Sequence, residues 1–333
     1  MTFKLGITRD VLDAQGAPSF GARALEVLKE NPALEWGYLG ESIREVTPEL
    51  AARYDGLYVN SPQVTRATVS GADCRVRIFA RHGVGYDSVD VPAMTERGIL
   101  VTNTPLAIRR PVAVASLTML FALTGRLFAK DRLTRAGKWA ERTNHMGLGL
   151  IGRTLGIVGA GGIGRELLRV AQPFGMRLIV ADPYVGEDVL GPLSATRVPL
   201  DQLMRESDFV VVTCLLNDET HHLIGAPQFA LMKSTAFFIN MARGPVADES
   251  ALIDTLQAGR IAGAGLDVFD QEPVDPGNPL LTMDNVIVTP HALCWTDECF
   301  HDIAAAGLKS IVDVSLGRRP VHLVNPEAWK ETA

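Results

Sequence analysis

Cysteine, cationic blocks and long apolar runs are all scarce in this chain of 333 residues. The four cysteines, Cys74, Cys214, Cys294 and Cys299, form neither a CxxC pair nor a Cys/His group with zinc spacing. That sets aside a disulfide-stapled secreted scaffold and a zinc module, and a reduced cytoplasmic protein is expected. No window reaches about 18 uninterrupted apolar residues, so no membrane span is expected. The stretch Met1–Thr8 lacks the apolar centre of a signal peptide. Net charge is −6 and no Lys/Arg block interrupts it, which argues against nucleic acid as a partner. An acidic substrate stays open, because a local field can oppose the global sign.

What is present is ordinary for a globular protein, with 47% hydrophobic and 21% charged residues. The length implies about two domains. Short apolar runs alternate with amphipathic stretches throughout, which implies βα units and parallel sheets. Early strands are predicted at Lys4–Thr8, Leu57–Asn60, Arg77–Arg81 and Ile99–Thr102, with helical patterns at Ala22–Glu30 and Pro92–Arg97. A second series of six reads Thr154–Gly159, Arg177–Ala181, Phe209–Leu215, Ala236–Asn240, Ala264–Phe269 and Val286–Thr289. Several of these are apolar throughout, as strands covered on both faces are. Two long helices are predicted, over Pro111–Arg126 and Thr296–Leu316. The expected fold is α/β with two doubly wound parallel-sheet domains. A Rossmann nucleotide domain over 106–292 would be inserted into a flavodoxin-like substrate domain made of 1–105 and 293–333.

The segment Thr154–Gly164 ends a strand and opens a helix, with Gly159, Gly161 and Gly164 in GxGxxG spacing. Gly159 suits a tight turn, Gly161 lets backbone approach a pyrophosphate, and Gly164 lets the helix pack on the strand. Gly162 and Ile163 complete this loop, whose helix N-terminus offers free N–H groups and positive dipole to phosphate. Asp182 lies about 20 residues beyond, where a carboxylate bonds the ribose 2′-OH and repels a 2′-phosphate. NAD is therefore the expected cofactor. The lesser alternative for Asp182 is a solvated turn residue before Pro183.

Three later segments each deliver one unusual residue at a strand end: Arg243 in Asn240-Met-Ala-Arg-Gly, Glu272 in Asp267-Val-Phe-Asp-Gln-Glu-Pro, and His291 in Thr289-Pro-His. Strand carboxyl ends are where ligands sit in an open α/β sheet. Read singly, Arg243 is a salt-bridge partner, Glu272 a surface turn and His291 a cap. Read together, they suggest one site. With the GxGxxG and the Asp182-Pro-Tyr, these motifs resemble the D-isomer-specific 2-hydroxyacid dehydrogenase family, over nearly the whole chain from Lys4 to about Pro326.

The resemblance implies hydride transfer between nicotinamide C4 and C2 of a D-2-hydroxy or 2-keto acid. Arg243 would hold the carboxylate and keto oxygen, a task suited to a planar, permanently charged fork. His291 would be the acid/base group and Glu272 its partner, an arrangement that favours imidazolium. Asp267 would bind the nicotinamide carboxamide, with Thr220 and Ala242 as further cofactor contacts. Arg81–Asp87 resembles the family's substrate loop, where the N–H groups of Val84 and Gly85 would grip the carboxylate. Asn60 and Arg81 would border the same site, and a homodimer is implied. Val112–Leu123 and Trp139 suggest a buried subunit interface.

Two features depart from the family pattern. Leu106–Gly125 contains no acid, and Arg109-Arg110-Pro111 stands where many relatives carry a Glu near the helix start. Arg109 or Arg110 is expected either to meet a second anionic or polyhydroxyl end of the substrate or to be a solvated helix start. Trp295, in a stretch where relatives often have small residues, is expected to wall the substrate site or to enter a domain interface. Formate oxidation is disfavoured, because the histidine's partner there is usually Gln rather than Glu272. Two further alternatives are an NAD-sensing corepressor of the same fold and another Rossmann enzyme such as a methyltransferase. The second gives Arg243, Glu272 and His291 no task.

Overall fold

The computed structural model describes residues 2–330, and the chain divides into two compact units, Met1–Ile108 with Trp295–Ala333, and Arg109–Cys294. In the first unit the strands are β1 (Phe3–Ile7), β2 (Leu34–Tyr38), β3 (Gly56–Val59), β4 (Ile78–Arg81) and β5 (Leu100–Thr102). They form one parallel sheet in the order β2-β1-β3-β4-β5, the flavodoxin-like order. Its helices are α1 (Pro48–Arg53), α2 (Val91–Glu96) and α10 (Asp297–Ser315).

Alternation along the strands assigns the two faces. Tyr58, Ile78 and Ala80 pack with Leu308 and Ile311 of α10, whereas Leu57, Val59 and Phe79 pack with Ala93 and Met94 of α2. This is the period of two expected of a pleated strand. Sequence reading missed β2, in which only Leu34 is buried. Ala22–Glu30 is helical as expected but winds as a 3₁₀ helix.

The second unit carries β6 (Thr154–Val158), β7 (Arg177–Ala181), β8 (Ala195–Arg197), β9 (Phe209–Val212), β10 (Phe237–Asn240), β11 (Gly263–Leu266) and β12 (Val286–Val288). They run parallel in the order β12-β11-β10-β9-β6-β7-β8. Seven strands replace the six expected, because the three-residue edge strand β8 has no apolar run. The order reverses between β6 and β9, the switch point where doubly wound sheets open a ligand crevice. The strands from Phe209 and Gly263 end about three residues earlier than expected, as the chain leaves the sheet into the loops that carry the site.

This unit's helices are α3 (Arg109–Thr124), α4 (Leu127–Arg135), α5 (Gly162–Ala171), α6 (Glu187–Leu190), α7 (Leu200–Glu206), α8 (Ala226–Phe229) and α9 (Glu249–Gln257). The long helix expected over Pro111–Arg126 becomes α3, with Val112, Ala113, Leu117, Met119, Leu120 and Leu123 buried. Trp139 opens a 3₁₀ segment and is 64% exposed. Among the described residues no single helix is long and apolar enough to cross a membrane.

Candidate active site

The loop after β6 is built on close approaches. Gly159 has φ +92°, and a Cβ there would lie 2.6 Å from the backbone of Cys214. A Cβ on Gly164 would lie 2.2 Å from the Gly159 carbonyl oxygen, so any side chain would push α5 off the strand. The Thr213 hydroxyl donates to that same carbonyl at 2.7 Å. Sequence reading missed this use of Thr213, a polar residue closing an otherwise apolar run. Gly161 is the N-cap of α5, and no atom stands within 4 Å of where its Cβ would be.

Asp182 follows β7. Its Oδ2 accepts the Ala160 N–H and its Oδ1 the Tyr184 N–H, both at 2.8 Å. The carboxylate therefore fixes the glycine loop as well as facing it. A cavity of about 500 Å³ opens here, lined by Val158, Ala181, Asp182, Val198, Pro199 and Leu223. An open helix N-terminus, an unfilled space over Gly161 and an apolar cavity ending at a carboxylate fit a dinucleotide carrying an adenosine. Ile163 lies in the first turn of α5.

The ends of β10, β11 and β12 bring the second group together. His291 Nδ1 and Glu272 Oε2 are 2.7 Å apart, and the Phe269 N–H donates to Glu272 Oε1 at 3.1 Å. Burial acts to raise the Glu272 carboxyl. The hydrogen bond and charge of His291, the Phe269 N–H and the Arg243 guanidinium outweigh it, and the group lies below its ordinary value. Arg243 follows β10 and is held by its own strand end: the Asn240 amide donates to the Arg243 carbonyl at 2.9 Å, and Asn240 Oδ1 accepts the Ala242 N–H at 3.0 Å.

His291 takes left-handed backbone, φ +54°. Asp267, 3% exposed, holds it there. Its Oδ1 accepts the Thr289 hydroxyl at 2.6 Å, the Ala292 N–H at 3.0 Å and the Leu293 N–H at 3.2 Å. One carboxylate thus brackets the histidine from both sides. Asn240 and Thr289 are further residues whose tasks the sequence did not disclose, although both stood inside quoted motifs.

The remaining expected contacts fall as follows. The Thr220 hydroxyl donates to the Leu215 carbonyl at 2.6 Å and accepts the Asn217 N–H at 2.8 Å, so it shapes its own turn. Arg110 does not wait for a ligand: it pairs with Glu166 of α5 at 2.8 Å, and Arg169 holds the other Glu166 oxygen at 2.6 Å. Arg109 lies against Gly162, where an added Cβ would come within 2.5 Å of its Nε.

In the first unit, Arg81 donates to Asn60 Oδ1 at 3.1 Å and to the His82 carbonyl. The Asn103 amide donates to the Val84 carbonyl at 2.8 Å, and Gly83 has φ +121°. Among the described residues the N–H groups of Val84 and Gly85 enter no backbone hydrogen bond. His82, inside the Arg81–Asp87 loop, is buried. Its Nδ1 bonds the Tyr58 hydroxyl and its ring meets Phe300 at 5.1 Å. Trp295 packs edge-on against Phe300 at 4.8 Å and stays 55% exposed.

Comparison with known proteins agrees with this geometry. The model of the D-isomer specific 2-hydroxyacid dehydrogenase, NAD binding domain, matches residues 117–292. A glyoxylate reductase of Korarchaeum cryptofilum is 39% identical over 312 residues, 92% of this chain and 94% of the relative. A glyoxylate/hydroxypyruvate reductase B of Escherichia coli is 38% identical over 285 residues, 85% and 88% of the two chains. The crystal structure of a glyoxylate reductase from Paecilomyes thermophila superposes with a TM-score of 0.84 at 27% identity, covering 98% of this chain and 99% of that one. The chain belongs to the D-isomer specific 2-hydroxyacid dehydrogenases, and it is an NAD-dependent enzyme of that family.

Proposed function

We propose that the enzyme reduces small 2-keto acids of the glyoxylate and hydroxypyruvate class to D-2-hydroxy acids. The observation that carries this reading is the His291–Glu272 pair at 2.7 Å, with Arg243 close enough to lower the same carboxylate. The glyoxylate and hydroxypyruvate reductase activities of the two relatives supply the substrate class.

Bound nicotinamide supplies the hydride in reduction and accepts it in oxidation. Arg243 binds the substrate carboxylate and polarises the keto oxygen, which lowers the cost of negative charge developing there. Glu272 engages Nδ1 of His291, so Nε2 is the atom at which the proton leaves for the substrate oxygen and to which it returns in the reverse direction. Asp267 fixes the loop on which this ring stands and is the group that would accept the carboxamide N–H. The N–H groups of Val84 and Gly85, with Asn60 and Arg81, form the substrate loop of the first unit. Asp182 receives the ribose hydroxyls, Thr220 and Ala242 border the cofactor, and Trp295 limits substrate size. We further propose a cytoplasmic homodimer, supported by the scatter of the four cysteines along the sequence and by the exposed Val114, Phe121 and Trp139.

A panel of 2-keto acids with NADH, followed by absorbance, tests the substrate class. His291→Asn tests the mechanism, since Asn also accepts left-handed backbone. The expected result is kcat lower by about 10²–10⁴-fold with NADH affinity kept within about twofold. Unchanged turnover in that variant, or no reduction of any 2-keto acid by the parent, would sink the reading.

A further inference from the structure

Two arginines begin α3, and its first turn carries no acid. Positive charge at a helix N-terminus opposes the helix dipole, so each cation needs an anion or costs stability. Arg110 has one in Glu166. Arg109 has no carboxylate within salt-bridge distance among the described residues. Its Nε is shut off from solvent there and has no hydrogen-bond partner. Its guanidinium lies over the first residue of α5, with an ideal Cβ on Gly162 falling 2.5 Å from Nε and 3.1 Å from Cζ. Gly162 is therefore the space in which Arg109 sits. One unpaired cation and the positive ends of two helices converge on a single place, and all three favour an anion.

We propose that Arg109 is a ligand of the cofactor's pyrophosphate, and that Arg110, through Glu166, is the positioning residue that holds it over α5. This rests on the reading of the Gly159–Gly164 loop as the dinucleotide site. It moves Arg109 from the substrate side to the cofactor side. A guanidinium suits the task because it stays charged and presents several N–H donors in one plane, which phosphate oxygens match.

The test separates the parts of the dinucleotide. Titration calorimetry compares ADP-ribose, which carries the pyrophosphate, with adenosine, which does not. Arg109→Ala is expected to weaken ADP-ribose and NADH by about 10- to 100-fold, the effect of one charged hydrogen-bond donor, and to leave adenosine within about twofold. Arg109→Lys should fall between, keeping charge but losing the fork. The loss should shrink between about 0.05 and 0.5 M salt, as a screened contact does. Three results overturn the proposal: ADP-ribose binding to Arg109→Ala within twofold of the parent, adenosine weakened as much as ADP-ribose, or a raised KM for the keto acid with ADP-ribose affinity unchanged. None of the binding measurements needs turnover. A parent that binds ADP-ribose through Arg109 and reduces no 2-keto acid would overturn the proposed function and leave this one standing.

Discussion

At position 291 the chain places a side chain where most residues resist going. A φ of +54° brings Cβ against the following carbonyl, a strain of roughly 1–2 kcal/mol that Asp267 offsets by bonding both flanks of the loop. Loss of the half-exposed pair with Glu272 costs about 1 kcal/mol at most. Backbone strain should therefore decide between small replacements. His291→Gly is expected to be more stable than His291→Ala by about 1 kcal/mol, the reverse of their usual order, and chemical denaturation measures the difference. Equal stabilities would remove the strain argument. His82 sits at the other extreme, buried and neutral. Desolvation, joined by the charge of Arg81 and opposed by Asp10, takes its pKa from 6.5 to about 3. Below pH 6.5 the unfolded chain binds a proton that the folded chain refuses, so stability is full above that value and falls as pH drops toward 3. Between pH 7.5 and 5 the contribution is about 2 kcal/mol. His82→Gln should flatten the acid limb of stability against pH, and an unchanged limb would show that this ring does not set it.

At the level of elements, what could be read was what local chemistry determines. Strands such as Phe209–Val212 are apolar at every position because both faces are covered, and they stand out in sequence. The turn after Val158 announces itself because only glycine satisfies its φ and its clearances. Strands β2 and β8 escaped for the opposite reason: both lie at sheet edges, keep residues exposed, and carry no run of apolar side chains. The candidate site was legible as residue types at strand ends. Its supports were not, because the bracket from Asp267 to Leu293 and the hydroxyl of Thr213 on Gly159 are tertiary contacts that no spacing encodes. Arg109 shows the limit best. Sequence placed it at a helix start, but only the packing of α3 on α5 brings it to Gly162.

For the molecule as a whole, the two units differ in how the chain makes them. Arg109–Cys294 is one continuous stretch with its own core, whereas the other unit needs both chain ends. A fragment spanning residues 105–294 is therefore expected to fold cooperatively and to bind ADP-ribose within about tenfold of the full chain. Circular dichroism melting and calorimetry check both, and a non-cooperative melt would count against an autonomous nucleotide unit. A fragment ending at Ile108 should fail to fold, since it lacks α10 and would expose Tyr58, Ile78 and their neighbours.

The contact between Arg109 and Gly162 also bears on how this sequence can vary. The two positions are far apart in the chain but occupy one volume. A side chain gained at 162 displaces the guanidinium from its place over α5, a shift the flexible arginine can make. A glycine that passes for a demand of its own loop here also leaves room for a residue of another helix, so a side chain gained at 162 changes where the cation at 109 can stand.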